Sequence, residues 1–185
     1  MGYTTNFSGS LEFNKPVAPW LVEYINKFNR TRHMKRDPEK IKELYPNWGE
    51  LCFNGELGDE GQYFIGDRDA SVIHINMPPV GQPGLWCQWM IEEDMLMWDG
   101  GEKFDEYEEW LNYLIKNFFE PLGYVLNGDI EWQGEEYDDF GVIHVVDNFI
   151  DMQYGIRVSS MSEISTEDLV AELKSRGFDV TPLCV

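Results

Sequence analysis

The stretch Tyr124-Val125-Leu126-Asn127-Gly128-Asp129-Ile130-Glu131-Trp132-Gln133 places Tyr124, Leu126, Gly128, Ile130 and Trp132 on one side and Asn127, Asp129, Glu131 and Gln133 on the other. A period of two is a strand with one face on a core and one in water, which is the pattern of an antiparallel sheet. Two similar runs follow. Val142-Ile143-His144-Val145-Val146 comes after an acidic loop, Gly134 to Gly141, and Asp147-Asn148 turns the chain into a run from Phe149 to Val158. A three-stranded meander is expected.

Working backwards, Tyr107, Trp110, Leu111, Leu114, Ile115, Phe118 and Phe119 keep helical spacing, with Asp105 and Glu108 placed as a cap pair and Pro121 and Gly123 as the stop. Before that helix, Trp86 to Ile91 and Met95 to Trp98 read as a hairpin turning at Glu92-Glu93-Asp94. Near the N-terminus, Thr4 to Phe13 alternates as a strand. Val17, Trp20, Leu21, Tyr24, Ile25 and Phe28 then mark an amphipathic helix that Asp37-Pro38 should stop. Residues 37–83 are rich in Gly, Pro, Asn and Asp, and only Ser71 to Asn76 stands out as a strand. A loop region of that length is usually functional or misread. Ser165 as N-cap, Ile164 with Leu169, and Gly177 announce a last helix. The order predicts an α+β fold of ferredoxin-like β-α-β-β-α-β type, with a widened antiparallel sheet and a C-terminal helical appendage. One domain is expected over residues 1–158, with residues 159–185 as an extension.

Aromatic residues make up 15% of the chain, too much apolar surface for a disordered segment, so the formal charge of -20 must lie on a folded body. No apolar run approaches the roughly 18 residues of a membrane span and no signal peptide is evident, so a cytoplasmic protein is expected. Cys52, Cys87 and Cys184 are odd in number and widely spaced, which reads as reduced thiols and not as a disulfide framework or zinc site. Charge is divided unevenly: residues 1–42 carry a net +4, the remainder -24. Sixteen acids lie between Glu92 and Asp139 against Lys103 and Lys116 alone. Glu92, Glu93, Asp94, Asp99, Glu106, Glu109, Glu135, Glu136, Asp138 and Asp139 are therefore read as an acidic interaction face that repels DNA and RNA and favours a basic protein partner.

No phosphate-binding glycine loop, nucleophile elbow, zinc-protease or EF-hand spacing is present. No cofactor, metal or catalytic residue is assigned; Asp99, Asp129 and Glu131 are only available carboxylates, and His33, His74 and His144 fall on three elements. Two features point to a ligand. The cluster Arg30, Arg32, His33, Lys35 and Arg36 is the one concentration of positive charge, suited to phosphate or to compensating the acidic segment. In Gln82 to Trp89, Trp86 and Trp89 fall on opposite faces of a strand, so one can fill the core while the other stacks on a planar ligand. The candidate ligand residues are Arg32, His33, Lys35, Arg36, Trp86, Gln88 and Trp89.

Met1 to Thr5, Thr31 to Arg36, Gln82 to Trp89, Trp98-Asp99-Gly100-Gly101-Glu102-Lys103-Phe104 and Gly123 to Glu136 resemble a family of short, uncharacterised proteins encoded by tailed phages, prophages and bacteria. The resemblance spans most of residues 1–150 and implies an accessory protein acting in the bacterial cytoplasm, with no site residue to carry over. Three functions follow: an acidic inhibitor of a host or defence protein, a binder that sequesters a nucleotide or nucleotide-derived signal, and an enzyme on a phosphorylated substrate.

Overall fold

The computed structural model describes residues 3–155, and the expected helix at Ser165 to Gly177 and the extension 159–185 lie outside them. Strand β1 (Asn6–Phe13) buries Phe7 and Leu11 and exposes Ser8 and Gly9 between them. Helix α1 (Pro19–Arg30) starts with a proline in its first turn and buries Leu21, Tyr24, Ile25 and Phe28 at the expected spacing. The hairpin is β4 (Trp89–Glu92) and β5 (Met95–Trp98), and the meander is β6 (Leu126–Gln133), β7 (Phe140–Val146) and β8 (Phe149–Tyr154).

Between α1 and β4 the chain does more than the sequence suggests. Helix α1 ends at Arg30, not at Asp37-Pro38 as expected, and that dipeptide opens a helix instead. The Asp37 carboxylate accepts from the backbone N–H groups of Glu39 and Lys40, and Pro38 begins α2 (Pro38–Leu44). Lys35–Arg36 form a short strand, β2, paired antiparallel with β3 (Val72–His74). Three 3₁₀ turns lie within residues 48–61, two of them bent by left-handed Asn54 and Glu60.

The fold is α+β: the described residues form three helices, a two-stranded sheet β2-β3, and a six-stranded antiparallel sheet in the order β4-β5-β1-β6-β7-β8. That order, with β7 and β8 added beyond β6 and a small sheet inserted after α1, departs from a plain ferredoxin-like sheet. The inserted segment is built from side-chain bonds and short turns that carry no periodic signal. Helix α3 (Tyr107–Leu114) also differs in detail. Its N-cap is Glu106, in a left-handed conformation and without a side-chain cap bond, so the Asp105–Glu108 cap pair does not form. The expected stop at Gly123 is present, with φ 71°, after a π-turn over Ile115–Phe119.

Core packing is dominated by rings. Phe7 meets Trp89, Trp98, Phe104 and Tyr107 edge-on at centroid distances of 4.9–5.8 Å, each such pair worth ~0.5–1.5 kcal/mol beyond its buried area. Trp89 and Trp110 are wholly buried. A satellite core of Ile41, Cys52, Leu57 and Phe64 sits under α2. On the β4 edge, the Asn26 amide of α1 both donates to the Ile91 carbonyl and accepts from its N–H, at 2.8 Å each, closing an otherwise open strand edge. None of the helices among the described residues is long and apolar enough to cross a membrane.

Candidate functional site

Helix α1 ends at Arg30 with Lys27 and Arg30 in its last turn, where the helix dipole favours cations. The chain then runs extended, and Arg32 reaches across to the loop after β3: Nε donates to the Ile75 carbonyl at 3.2 Å and Nη2 to Asn76 Oδ1 at 3.0 Å. Its guanidinium also lies 5.7 Å from the ring centroid of Trp86, within cation–π range. Trp86 stands before β4 and is 43% exposed, and its neighbour Leu85 is tied down by the His33 N–H.

The opposite wall comes from the loop of Gly66, Asp67 and Arg68, fixed from below by Arg36. This guanidinium is 1% exposed; it donates to the Gly66 and Asp67 carbonyls at 2.9 and 2.7 Å, to Ser71 Oγ at 3.0 Å and to Asp69 Oδ2 at 3.0 Å. Burial pushes the Asp69 carboxyl up, but hydrogen bonds from Ser71 and Tyr45 and the charge of Arg36 outweigh it and hold the group below the usual carboxylate range. Between the two walls is an open cleft of about 590 Å³, lined on the charged side by Lys27, Arg30, Arg32, Asp67 and Arg68 and on the apolar side by Met34, Ile75 and Trp86.

The charge balance in this cleft is unusual for so acidic a protein. Lys27 pairs with Glu23, Lys35 with Glu60 and Arg36 with Asp69, but among the described residues Arg30, Arg32 and Arg68 have no carboxylate within ion-pair distance. Three guanidinium groups without acidic partners, beside an exposed indole, present donors and a stacking face to an incoming anion.

The seven residues read from sequence as ligand-binding divide sharply. Arg32 and Trp86 share the cleft. His33 is buried against Phe28 and Trp110, at centroid distances of 4.2 and 5.0 Å, and burial pulls its imidazole down to about 3, so it is neutral and enclosed. Arg36 is spent on the Gly66–Ser71 loop, Lys35 on Glu60, and Trp89 on the core, where its indole N–H donates to the Tyr107 carbonyl. Gln88 bridges the Glu102 carbonyl and the Trp98 indole. Arg32 lines the cleft with Met34, whereas Lys35 and Arg36 are drawn away by Glu60 and Asp69. Lys27, Asp67 and Arg68 were not singled out by sequence. Only the Arg36 clasp brings the last two to the site.

The acidic residues likewise do not form one surface. Asn6 pairs with Gln133 and Glu12 with Met95, so the β4–β5 turn (Glu92, Glu93, Asp94) and the β6–β7 loop (Glu135, Glu136, Asp138, Asp139) lie at opposite ends of β1, about 20 Å apart. Asp94 accepts from the Val17 N–H, Asp139 from the Tyr3 hydroxyl and Glu135 from the Thr4 N–H. Glu106 and Glu109 fall at the β6–β7 end, because Tyr107 packs on Phe7 and Trp132. Burial first, then neighbouring carboxylates, raise Glu106 and Glu108 above the ordinary glutamate range.

Asp99 is held by Asn29 and the Gly101 N–H, while Asp129 pairs with His144 on the outer face of the sheet; neither lines the arginine cleft. The described residues contain no group of three metal-ligating side chains. Comparison with protein-family models, curated proteins and solved structures returns no match for this chain. Fold and site together define an acidic α+β domain with one arginine-rich, tryptophan-walled cleft.

Proposed function

We propose that this protein binds and sequesters a nucleotide or nucleotide-derived signal in the cleft of Arg30, Arg32, Arg68 and Trp86. The observation that carries this reading is the set of three arginines lacking acidic partners among the described residues, beside an exposed tryptophan, on a protein of net charge -20. Guanidinium groups suit phosphate oxygens, and the indole suits a base. In this reading no bond is made or broken. Retention of a small anion is sufficient, in keeping with an accessory role in a phage-infected bacterial cytoplasm. Thermal-shift screening against nucleotides tests it: a ligand at 100 times its dissociation constant adds about 2.7 kcal/mol to stability. Arg30→Glu with Arg68→Glu should abolish that gain, and a wild-type protein stabilised by no nucleotide would end the reading.

A second reading places a basic host or defence protein on the acidic end formed by the β6–β7 loop and the start of α3. Its support is the gathering of Glu135, Glu136, Asp138 and Asp139 on the loop between β6 and β7, with Glu106 and Glu109 at the same end of the sheet. Pull-down from bacterial lysate at graded salt tests it, and capture insensitive to reversal of Glu135, Glu136, Asp138 and Asp139 to lysine argues against it. For the scaffold, we read β4-β5-β1-β6 with α1 and α3 as a ferredoxin-like kernel widened by β7 and β8.

A further inference from the structure

Trp86 borders two concavities. Besides the arginine cleft, it lines a second hollow of about 320 Å³ together with Pro83, Gly84, Lys103, Asp105 and Glu106. The rim of this hollow is held in unusual backbone conformations: Lys103 and Glu106 are left-handed, at φ 58° and 52°, in side chains that ordinarily avoid that region. Gly84 has no positive φ, so its glycine serves space and not backbone freedom. A Cβ there would stand 2.6 Å from Glu106 Oε2 and 3.4 Å from Trp110 Nε1. That indole nitrogen is fully buried and has no acceptor among the described residues. The notch over the bare Cα of Gly84 is taken by the Glu106 carboxylate, and the buried Trp110 donor lies behind it.

We infer that the ligand is two-lobed: a dinucleotide, with one base against Trp86 and Arg32 in the arginine cleft and the second base in the Gly84 notch. This rests on the nucleotide reading of the arginine cleft. The chemistry on each side of Trp86 is complementary to such a molecule. The arginines and Lys103 meet the phosphodiester oxygens, and, with Glu106 swung off Gly84, a ring nitrogen or carbonyl of the second base accepts from Trp110. The exposed Glu106 side chain is the part that moves aside on entry.

Isothermal titration of the full chain with adenosine and guanosine monophosphates, and with the corresponding linear and cyclic dinucleotides, tests the inference. Two joined subsites predict dinucleotide affinity about a hundredfold above that of the mononucleotide. Gly84→Leu fills the notch and should remove most of that advantage while leaving mononucleotide affinity unchanged, which also reports that the variant is folded. Lys103→Glu should weaken dinucleotide binding in the same selective way. Equal affinity for the two ligand classes, or a Gly84→Leu variant that keeps the full dinucleotide advantage, overturns the two-lobed ligand and leaves the arginine-cleft reading standing. Absence of binding by either class overturns both.

Discussion

Replacing Arg36 by methionine is the sharpest structural test, because one buried side chain holds both the inserted segment and one wall of the cleft. Its guanidinium makes four hydrogen bonds and stacks 5.0 Å from the centre of Phe64. Methionine keeps the apolar contact with Phe64 and loses every polar one. Removing one partner of a buried ion pair costs about 3–5 kcal/mol. Asp69 retains donors from Tyr45 and Ser71 and is 18% exposed, which places the loss at the lower end, about 3 kcal/mol. With a urea slope of about 2 kcal/mol per molar, the unfolding midpoint falls by about 1.5 M. Arg36→Met with Asp69→Asn should cost less than the sum of the two single changes, since the second substitution removes the stranded carboxylate. Nucleotide binding should fall as well, because Arg68 loses its support. A midpoint shift below about 0.5 M, or strict additivity in the cycle, would refute the clasp.

Further outcomes follow from other particulars. Because His33 is held near 3 in the fold against about 6.5 unfolded, the unfolded chain takes up the proton first; stability should fall by as much as about 1.4 kcal/mol per pH unit below pH 6.5. His33→Met should flatten that part of an acid titration of the urea midpoint. Gly9 sits at φ 100° with the position of a Cβ only 2.5 Å from the Asp129 carbonyl oxygen, so Gly9→Ala should destabilise by about 2–3 kcal/mol in the same assay. Asn26→Ala frees both edge groups of Ile91 and should cost about 2 kcal/mol. It should also raise self-association in sedimentation velocity, as the β4 edge becomes available for pairing.

The strands and two large helices were legible because each buries one face, and burial of one face writes a period of two or 3.6 into the chain. Tyr24, Ile25 and Phe28 on α1 and Leu126, Ile130 and Trp132 on β6 all occupy the core as that pattern demands. Residues 37–83 follow no such pattern. They are held by single reaching contacts, such as the Tyr24 hydroxyl on the Tyr63 carbonyl and the Gln82 amide on the Gln62 carbonyl. The missed start of α2 was written locally in Asp37-Pro38-Glu39, whose Asp caps the helix that its Pro begins. For the site, residue type marked Arg32 and Trp86 but also marked Arg36 and Trp89, whose burial is decided by loops distant in sequence. Arg68 could be placed at the cleft only by the Arg36 clasp, a contact across some thirty residues.

The most direct measurement is a nuclear magnetic resonance titration of ¹⁵N-labelled protein with mono- and dinucleotides, reading arginine Nε–H and tryptophan indole N–H signals assigned by single substitution. The predicted result is saturable shifts at Arg30, Arg32, Arg68 and Trp86, with Trp110 responding to the dinucleotide. Unmoved signals at all four cleft residues, or shifts confined to the acidic end of the sheet, would contradict it.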